Sequence, residues 1–303
     1  MKITLITPCF NGENHIEPYI KGLLAQKEKD VEYIFINDGS TDNTKDIILS
    51  YKNAFIEKGW SFTYIEQENA GQASAINKGL KIMTGEFFSC IDSDDILHPD
   101  YFTKMSQYLI DNPNVDMVFP KSESVKEFTF EHINYQERVI PPNCIDTLFS
   151  DMIETPKNMP ALPTFMIRTS TFEKLIPTKQ IYEGLSGQNP QFILPIAYNG
   201  KVAYLKDCLV KMVIRENSDS HYVKTKVIRS YNWENLYTET LKTIPNMPEY
   251  EKAYYFKKIK ERWQSHRQKW IEKERIAKEI EEKSERVVKN ILGIKIKYRK
   301  RRK

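Results

Sequence analysis

Residues 86–95 read EFFSCIDSDD. The first six, through Ile91, are largely apolar and aromatic, the character of a buried strand. Asp92, Ser93, Asp94 and Asp95 follow directly. Alternation along an extended chain puts Asp92 and Asp94 on one side, where two carboxylates repel unless something neutralises them. A divalent cation with oxygen ligands does so, and Mg²⁺ or Mn²⁺ in such a place usually binds substrate phosphates as well. The plain alternative is a solvated loop in which Asp94 or Asp95 caps the next helix. The surroundings decide between the two.

Outward from this stretch, ITLIT (3–7), VEYIFIN (31–37) and SFTYIEQ (61–67) are strand-like, whereas 15–27, 41–55 and 73–83 have helical spacing. Near-continuous apolar strands alternating with helices predict an α/β fold with a mostly parallel sheet covered on both faces. Residues 120–165 are less regular and read as a region laid over the sheet. TFMIRTS (164–170) and KVAYLKD (201–207) read as further strands, with a helix near 189–199, and the chain is mostly helical from Val223.

Open α/β sheets bind ligands at the C-terminal ends of their strands. Here those ends carry TPCFNGE (7–13), NDGSTDNT (37–44) and DSDD (92–95). Ordinary turn and capping preferences explain Gly39 through Asp42. They do not explain Asp38, placed where its carboxylate could accept from a ligand. Small residues open the helix in GQASAINKG (71–79). With no GxGxxG and no GxxxxGK[ST], neither a dinucleotide fold nor a P-loop has support.

At 303 residues, 40% apolar and 12% aromatic, the composition excludes disorder, collagen-like sequence and a small disulfide scaffold. Cys9, Cys90, Cys144 and Cys208 are scattered, which argues against zinc and disulfides. The N-terminus turns polar too soon for a signal peptide, and no run reaches the ~20 apolar residues that span a bilayer. The expectation is a cytoplasmic protein. Charge is uneven: residues 249–303 hold 20 Lys/Arg and 9 Asp/Glu, whereas 1–248 hold 25 and 32. Within the tail, Phe256, Trp263, Trp270, Ala277 and Ile291 fall on one heptad line, and Ile259, Ile280, Val287 and Ile294 on another. No nucleic-acid reader module accompanies the charge. Residues 287–303, apolar and then strongly basic, suit an anionic membrane surface, where each basic residue adds ~1 kcal/mol. Packing on a second copy of the chain, as a homodimer, is the competing reading.

TPCFNGENHIEPYIKGLLAQ, NDGSTDNT, ENAGQASAINKGLKIMTGEF and IDSDDIL with Pro99, in this order and spacing, resemble family-2 glycosyltransferases of GT-A fold. The resemblance implies a Rossmann-like nucleotide-sugar-binding and catalytic domain at 1–222, with a helical, basic extension at 223–303. It implies a UDP-sugar donor, with Thr7, Pro8 and Asp38 at the nucleotide and Asn77, Asp92, Ser93, Asp94, Gln188 and Asn189 completing the donor site. Asp92, Asp94 and His221 would hold Mn²⁺ or Mg²⁺. Many family members carry a Glu-Asp pair whose aspartate is the catalytic base, and here Gln188-Asn189 stands in its place within GQNPQ (187–191). An amide cannot take a proton from a hydroxyl, so Glu183 and Asp219 become the nearest carboxylate candidates, beside Asp94 in the catalytic set. The implied activity is metal-dependent, inverting transfer to a cell-surface glycan or lipid-linked acceptor, with the enzyme peripheral on the inner membrane face. Two rivals remain: a catalytically silent nucleotide-sugar-binding scaffold, and a nucleotidyltransferase, whose basic Gly-rich loop TPCFNGEN lacks.

Overall fold

The computed structural model describes residues 1–127, 129, 146–154, 164–184, 187–214 and 226–291. Strands β1 (Ile3–Cys9), β2 (Val31–Asn37), β3 (Ser61–Glu66) and β4 (Phe87–Cys90) pair in parallel in the order β3-β2-β1-β4. Alternation along them feeds two cores. Ile3, Leu5, Tyr33, Phe35 and Phe87 enter one cluster with α1 (Ile16–Leu24), α2 (Thr44–Ser50), α3 (Lys52–Glu57) and α5 (Tyr101–Asp111). Ile6, Ile34, Ile36 and Phe88 enter the other with α4 (Gln72–Ile82). A strand buried on both faces is apolar at consecutive positions, which is why these segments read so clearly.

The sheet does not stop at β4. The three-residue β7 (Met166–Arg168) runs antiparallel between β4 and β6 (Met117–Lys126). β6 in turn runs parallel to β8 (Val202–Ile214), and β5 (Ile96–Leu97) closes the edge. This corrects the reading of 120–165 as a covering region for its first part, 120–126; residues 128, 130–145 and 155–163 lie outside the described residues. Pro120 and the polar stretch Lys121–Glu123 disguise the strand, and the register shifts on both sides of Lys121 are the irregularity a proline causes in a ladder. The expected strand 164–170 is cut short because Thr169 already begins α7 (Thr169–Leu175). The expected helix 41–55 breaks at Tyr51 into α2 and α3.

On the α4 side the second cluster also takes in α6 (Leu148–Glu154), α8 (Asn189–Asn199), α9 (Lys226–Thr243) and the start of α10 (Glu249–Ile291). Ile259 and Trp263 are buried in it, with Phe256 and Trp270 packed against it. The upstream heptad positions Phe256, Ile259, Trp263 and Trp270 are thus used within the chain. Further along, Ile271, Ile276 and Ile280 are exposed. Residues 292–303, most of the basic terminus, lie outside the described residues. Among the described residues no helix is long and apolar enough to cross a membrane. Cys9, Cys90 and Cys208 are not in disulfides, and Cys144 is outside the described residues.

α4 approaches β1 so closely that a Cβ on Gly79 would sit 2.6 Å from Ile6 Cγ2. Gly79→Val should therefore destabilise the fold by about 1–3 kcal/mol, the usual range for overpacking a core, read as a lower urea midpoint at unchanged slope.

Candidate active site

Because β1, β2 and β4 are parallel, their C-terminal ends share one rim. There the loops after β1 and β2 are stitched together. Ser40 Oγ accepts from Asn11 N–H at 2.9 Å, Asn11 Oδ1 from Thr41 N–H at 2.9 Å, and Thr44 Oγ1 from Gly12 N–H at 2.6 Å. Asn11 adopts φ 51°, which asparagine tolerates better than most residues. Asp42, just before the N-cap Asn43 of α2, ties the two loops as well: it accepts from Thr44 N–H at 3.0 Å and from Glu13 N–H at 3.0 Å.

Asp38 is 3% exposed and takes three donors from one segment of its own chain. Gln67 Nε2 lies at 2.6 Å, Ala70 N–H at 2.9 Å and Gly71 N–H at 2.9 Å. Gly39, at φ +74°, lets the turn come close: a Cβ there would be 2.7 Å from Asn69 N. In this structure Asp38 therefore fixes the loop leading into α4. Thr7 is also turned inward, its hydroxyl paired with Tyr19, and burial pushes the Tyr19 phenol well above its usual range. Pro8 is buried beside it.

Residues 92–95 form a turn, with Asp95 N–H donating to Asp92 O at 3.3 Å. This replaces the extended geometry expected from alternation. Asp92 and Asp94 are nevertheless half-buried while Ser93 and Asp95 are buried, so the first pair does share the open side. Asp92 Oδ1 accepts from Gln72 Nε2 at 2.6 Å and from Gln188 Nε2 at 3.4 Å. Gln72 starts α4 and Gln188 precedes α8, so two helix starts converge on one aspartate.

This explains the GQNPQ segment. Gln188 is 4% exposed and directs its amide nitrogen to Asp92, while its buried Oε1 has no partner among the described residues. Gln191 clamps the backbone of Tyr182 in both directions, its Oε1 accepting at 2.5 Å and its Nε2 donating at 2.9 Å. Asn77 does the same one residue earlier: Oδ1 accepts from Ile181 N–H at 2.8 Å, and Nδ2 donates to Ile181 O at 2.9 Å. Its other amide hydrogen reaches Glu183 Oε1 at 3.0 Å. Asn77, expected at the donor, is 3% exposed with its amide committed to the chain. It positions exposed Glu183 at the rim.

Among the described residues no three His, Cys, Asp or Glu side chains cluster as a metal site. The oxygen donors present, Asp92, Asp94 and the unpartnered Gln188 Oε1, fit a hard cation that takes its remaining ligands from phosphates and water. Asp219 and His221 lie outside the described residues. Gln67, Gln72 and Gln191 were not singled out from the sequence; isolated glutamines carry no pattern, and only the fold gives them partners.

A parallel half-sheet with carboxylates on its rim, continued through an antiparallel strand into a second half, is GT-A architecture. The chain belongs to glycosyl transferase family 2, whose profile matches residues 4–176. It is 35% identical over 144 residues to glycosyltransferase GlyA of Streptococcus pneumoniae, covering 46% of this chain and 20% of that protein. It is 37% identical over 111 residues to the poly-beta-1,6-N-acetyl-D-glucosamine synthase of Staphylococcus aureus, covering 36% of this chain and 25% of that one. The chain thus spans a quarter or less of these two relatives. Among solved structures, S. aureus TarS 1–349 in complex with UDP-GlcNAc superposes with a TM-score of 0.63 at 21% identity, covering 84% of this chain and 70% of that one. The mannosyltransferase PcManGT from Pyrobaculum calidifontis, in complex with GDP-Man and Mn²⁺, superposes at 0.55 and 14% identity, covering 85% and 72%.

Asp38→Ala should release the 67–71 segment, at a cost of roughly 2–3 kcal/mol for a buried carboxylate with several donors. Hydrogen exchange at Ala70 and Gly71 should rise well before exchange in β1 or β2.

Proposed function

We propose that this protein transfers a sugar from a UDP-sugar to a hydroxyl of a cell-surface glycan or lipid-linked acceptor, with inversion at the anomeric carbon. The observation that carries this reading is the meeting of Gln72 and Gln188 on Asp92, two residues from Asp94, at the strand ends of a family-2 fold. The structural neighbours, one in complex with UDP-GlcNAc and another with GDP-Man and Mn²⁺, support a nucleotide-sugar donor.

In this reading the 38–44 and 67–71 loops frame the nucleotide, with Thr7, Pro8 and Asp38 shaping the pocket from behind. Mg²⁺ or Mn²⁺, held by Asp92, Asp94 and the donor's diphosphate, with His221 as a further ligand, would offset the charge that develops on the leaving group. Ser93, Gln188 and Asn189 contact the sugar or its diphosphate from the turn and the start of α8, where backbone N–H groups favour anionic atoms. The acceptor oxygen forms its bond to the anomeric carbon as the bond to UDP breaks, UDP leaving with the electron pair. The acceptor proton passes to Glu183, the described carboxylate that Asn77 holds at the rim; Asp219 is the reserve assignment. Gln188 cannot serve, since an amide is not basic.

Incubation with a panel of UDP-sugars and Mn²⁺, with detection of released UDP, tests the reading. One donor should be hydrolysed slowly, and EDTA should stop it. No release from any donor would favour the silent binding protein instead. Loss of a general base typically costs 10²–10⁴-fold, so Glu183→Gln should lower kcat for transfer by about that factor with donor affinity little changed.

We assign residues 287–303 to contact with an anionic membrane surface on the strength of their composition. Removing them should abolish co-sedimentation with anionic vesicles while donor hydrolysis persists. Full-length binding should weaken with salt, since screening acts over roughly 8 Å at physiological ionic strength. A truncation that instead converts dimer to monomer would assign the segment to self-association.

A further inference from the structure

Between α9 and α10 lies a groove of about 500 Å³, lined by Arg229, Trp233, Arg262, Trp263, His266 and Trp270. Its aromatic rings are closely arranged. Trp233 and Trp263 stack at 6.4 Å with planes 13° apart, and His266 meets Trp263 and Trp270 edge-on at 5.4 and 5.6 Å. The donor site as assigned above makes no use of these groups.

The groove also carries an uncompensated charge. The Arg262 guanidinium lies over Trp263 at 4.7 Å and over Tyr237 at 5.1 Å. Its Nη1 donates to Met152 O at 2.6 Å and Ile153 O at 3.3 Å, near the end of α6. It forms no carboxylate pair among the described residues, and its Nε, like Trp263 Nε1, is buried without an acceptor there. Burial lowers its pKa from the usual arginine value. Glu234, next to Trp233 in sequence, is engaged by Arg267. A largely desolvated cation whose described partners are all neutral, two carbonyls, the Tyr237 hydroxyl and two aromatic rings, favours an incoming anion more than an exposed, hydrated one would.

The groove adjoins the active site. A Cβ on Gly187 would lie 3.2 Å from Trp233 Cη2, and the next residue, Gln188, donates to Asp92. Whatever rests on Trp233 is therefore one residue away from the segment that faces the candidate metal site.

We propose that this groove binds a saccharide chain bearing anionic groups, as an extended subsite for the acceptor. Tryptophan faces suit the apolar faces of sugar rings, and Arg262 with Arg229 suits a carboxylate or phosphate on the chain. The inference deepens the acceptor half of the transferase reading and names its chemistry: a polyanionic rather than a neutral glycan.

Calorimetry on the full chain without donor tests it, with three probes of defined composition. Hyaluronan hexasaccharide should bind at least tenfold more tightly than neutral chitohexaose, about 1.4 kcal/mol. Arg262→Gln should erase that difference. Because this variant also loses the contacts to α6, Trp270→Ala serves as the second: it should weaken both saccharides at least about fivefold with the Arg262 contacts in place. Oligo(dT)₁₀ should bind more weakly than hyaluronan hexasaccharide. Equal affinity for the two saccharides, no binding of either, tighter binding of oligo(dT)₁₀, or indifference to both substitutions would overturn the proposal. Donor hydrolysis is measured on the same samples. If hydrolysis is absent but hyaluronan still binds, the transferase reading fails and the groove stands; the reverse result removes the groove alone.

Discussion

The side-chain amide of Asn77 and the backbone of Ile181 bond to each other in both directions, across 104 positions of sequence and out of contact with water. Buried polar pairs of this kind are costly to break, because neither side then recovers its hydration. The arrangement of the rim depends on this pair. It fixes the 181–183 segment against α4, and Gln191 then holds Tyr182, which ties the start of α8 to the same segment. With α8 so placed, Gln188 reaches Asp92, and Glu183 is presented by the amide hydrogen that Asn77 has left. The Asn77–Ile181 and Gln191–Tyr182 clamps are amide-to-backbone bonds without a titrating partner, whereas the bonds to Asp92 and Glu183 end on carboxylates.

Asp38 performs a parallel task on the other side of the rim. Its three donors all come from the connection between β3 and α4, so a charged group organises a loop that otherwise has few apolar contacts. Gly39 permits the approach, and the stitched loops after β1 and β2 complete the wall. The family profile ends at residue 176, so it includes this wall and the DSDD turn but not Glu183 or the GQNPQ segment.

How much of this could be read in the sequence follows from how local each signal is. β2 coincides with the stretch VEYIFIN because a doubly buried strand is apolar at every position. α4 and the rim positions of Asp38, Asp92 and Asp94 were equally legible, being fixed by neighbours a few residues away. β6 was missed because Pro120 and Ser122 sit inside it, and only the long partner β8 overrides their poor strand preference. Gln188 was legible only as a missing base. Its bond to Asp92 joins residues 96 apart, and no spacing rule spans such a distance. The heptad positions of Trp263 and Trp270 did not reveal their partner, because the sequence cannot tell an apolar stripe awaiting a second copy of the chain from one awaiting α9.

α10 has 43 residues, and among the described residues Trp270 is the last of its side chains packed against the second core cluster. The remaining 21 residues extend about 32 Å at the helical rise, and they carry six acidic and six basic side chains. The chain up to Trp270 holds 32 basic and 35 acidic groups, whereas residues 292–303 hold seven basic and none acidic. Charge therefore cancels over 271–291 and nearly so over the body, and the excess of positive charge in the sequence is concentrated in residues 292–303. An attraction that resides in so short a run is set by salt and by a few side chains, and it can be tuned while the charges of the body stay as they are.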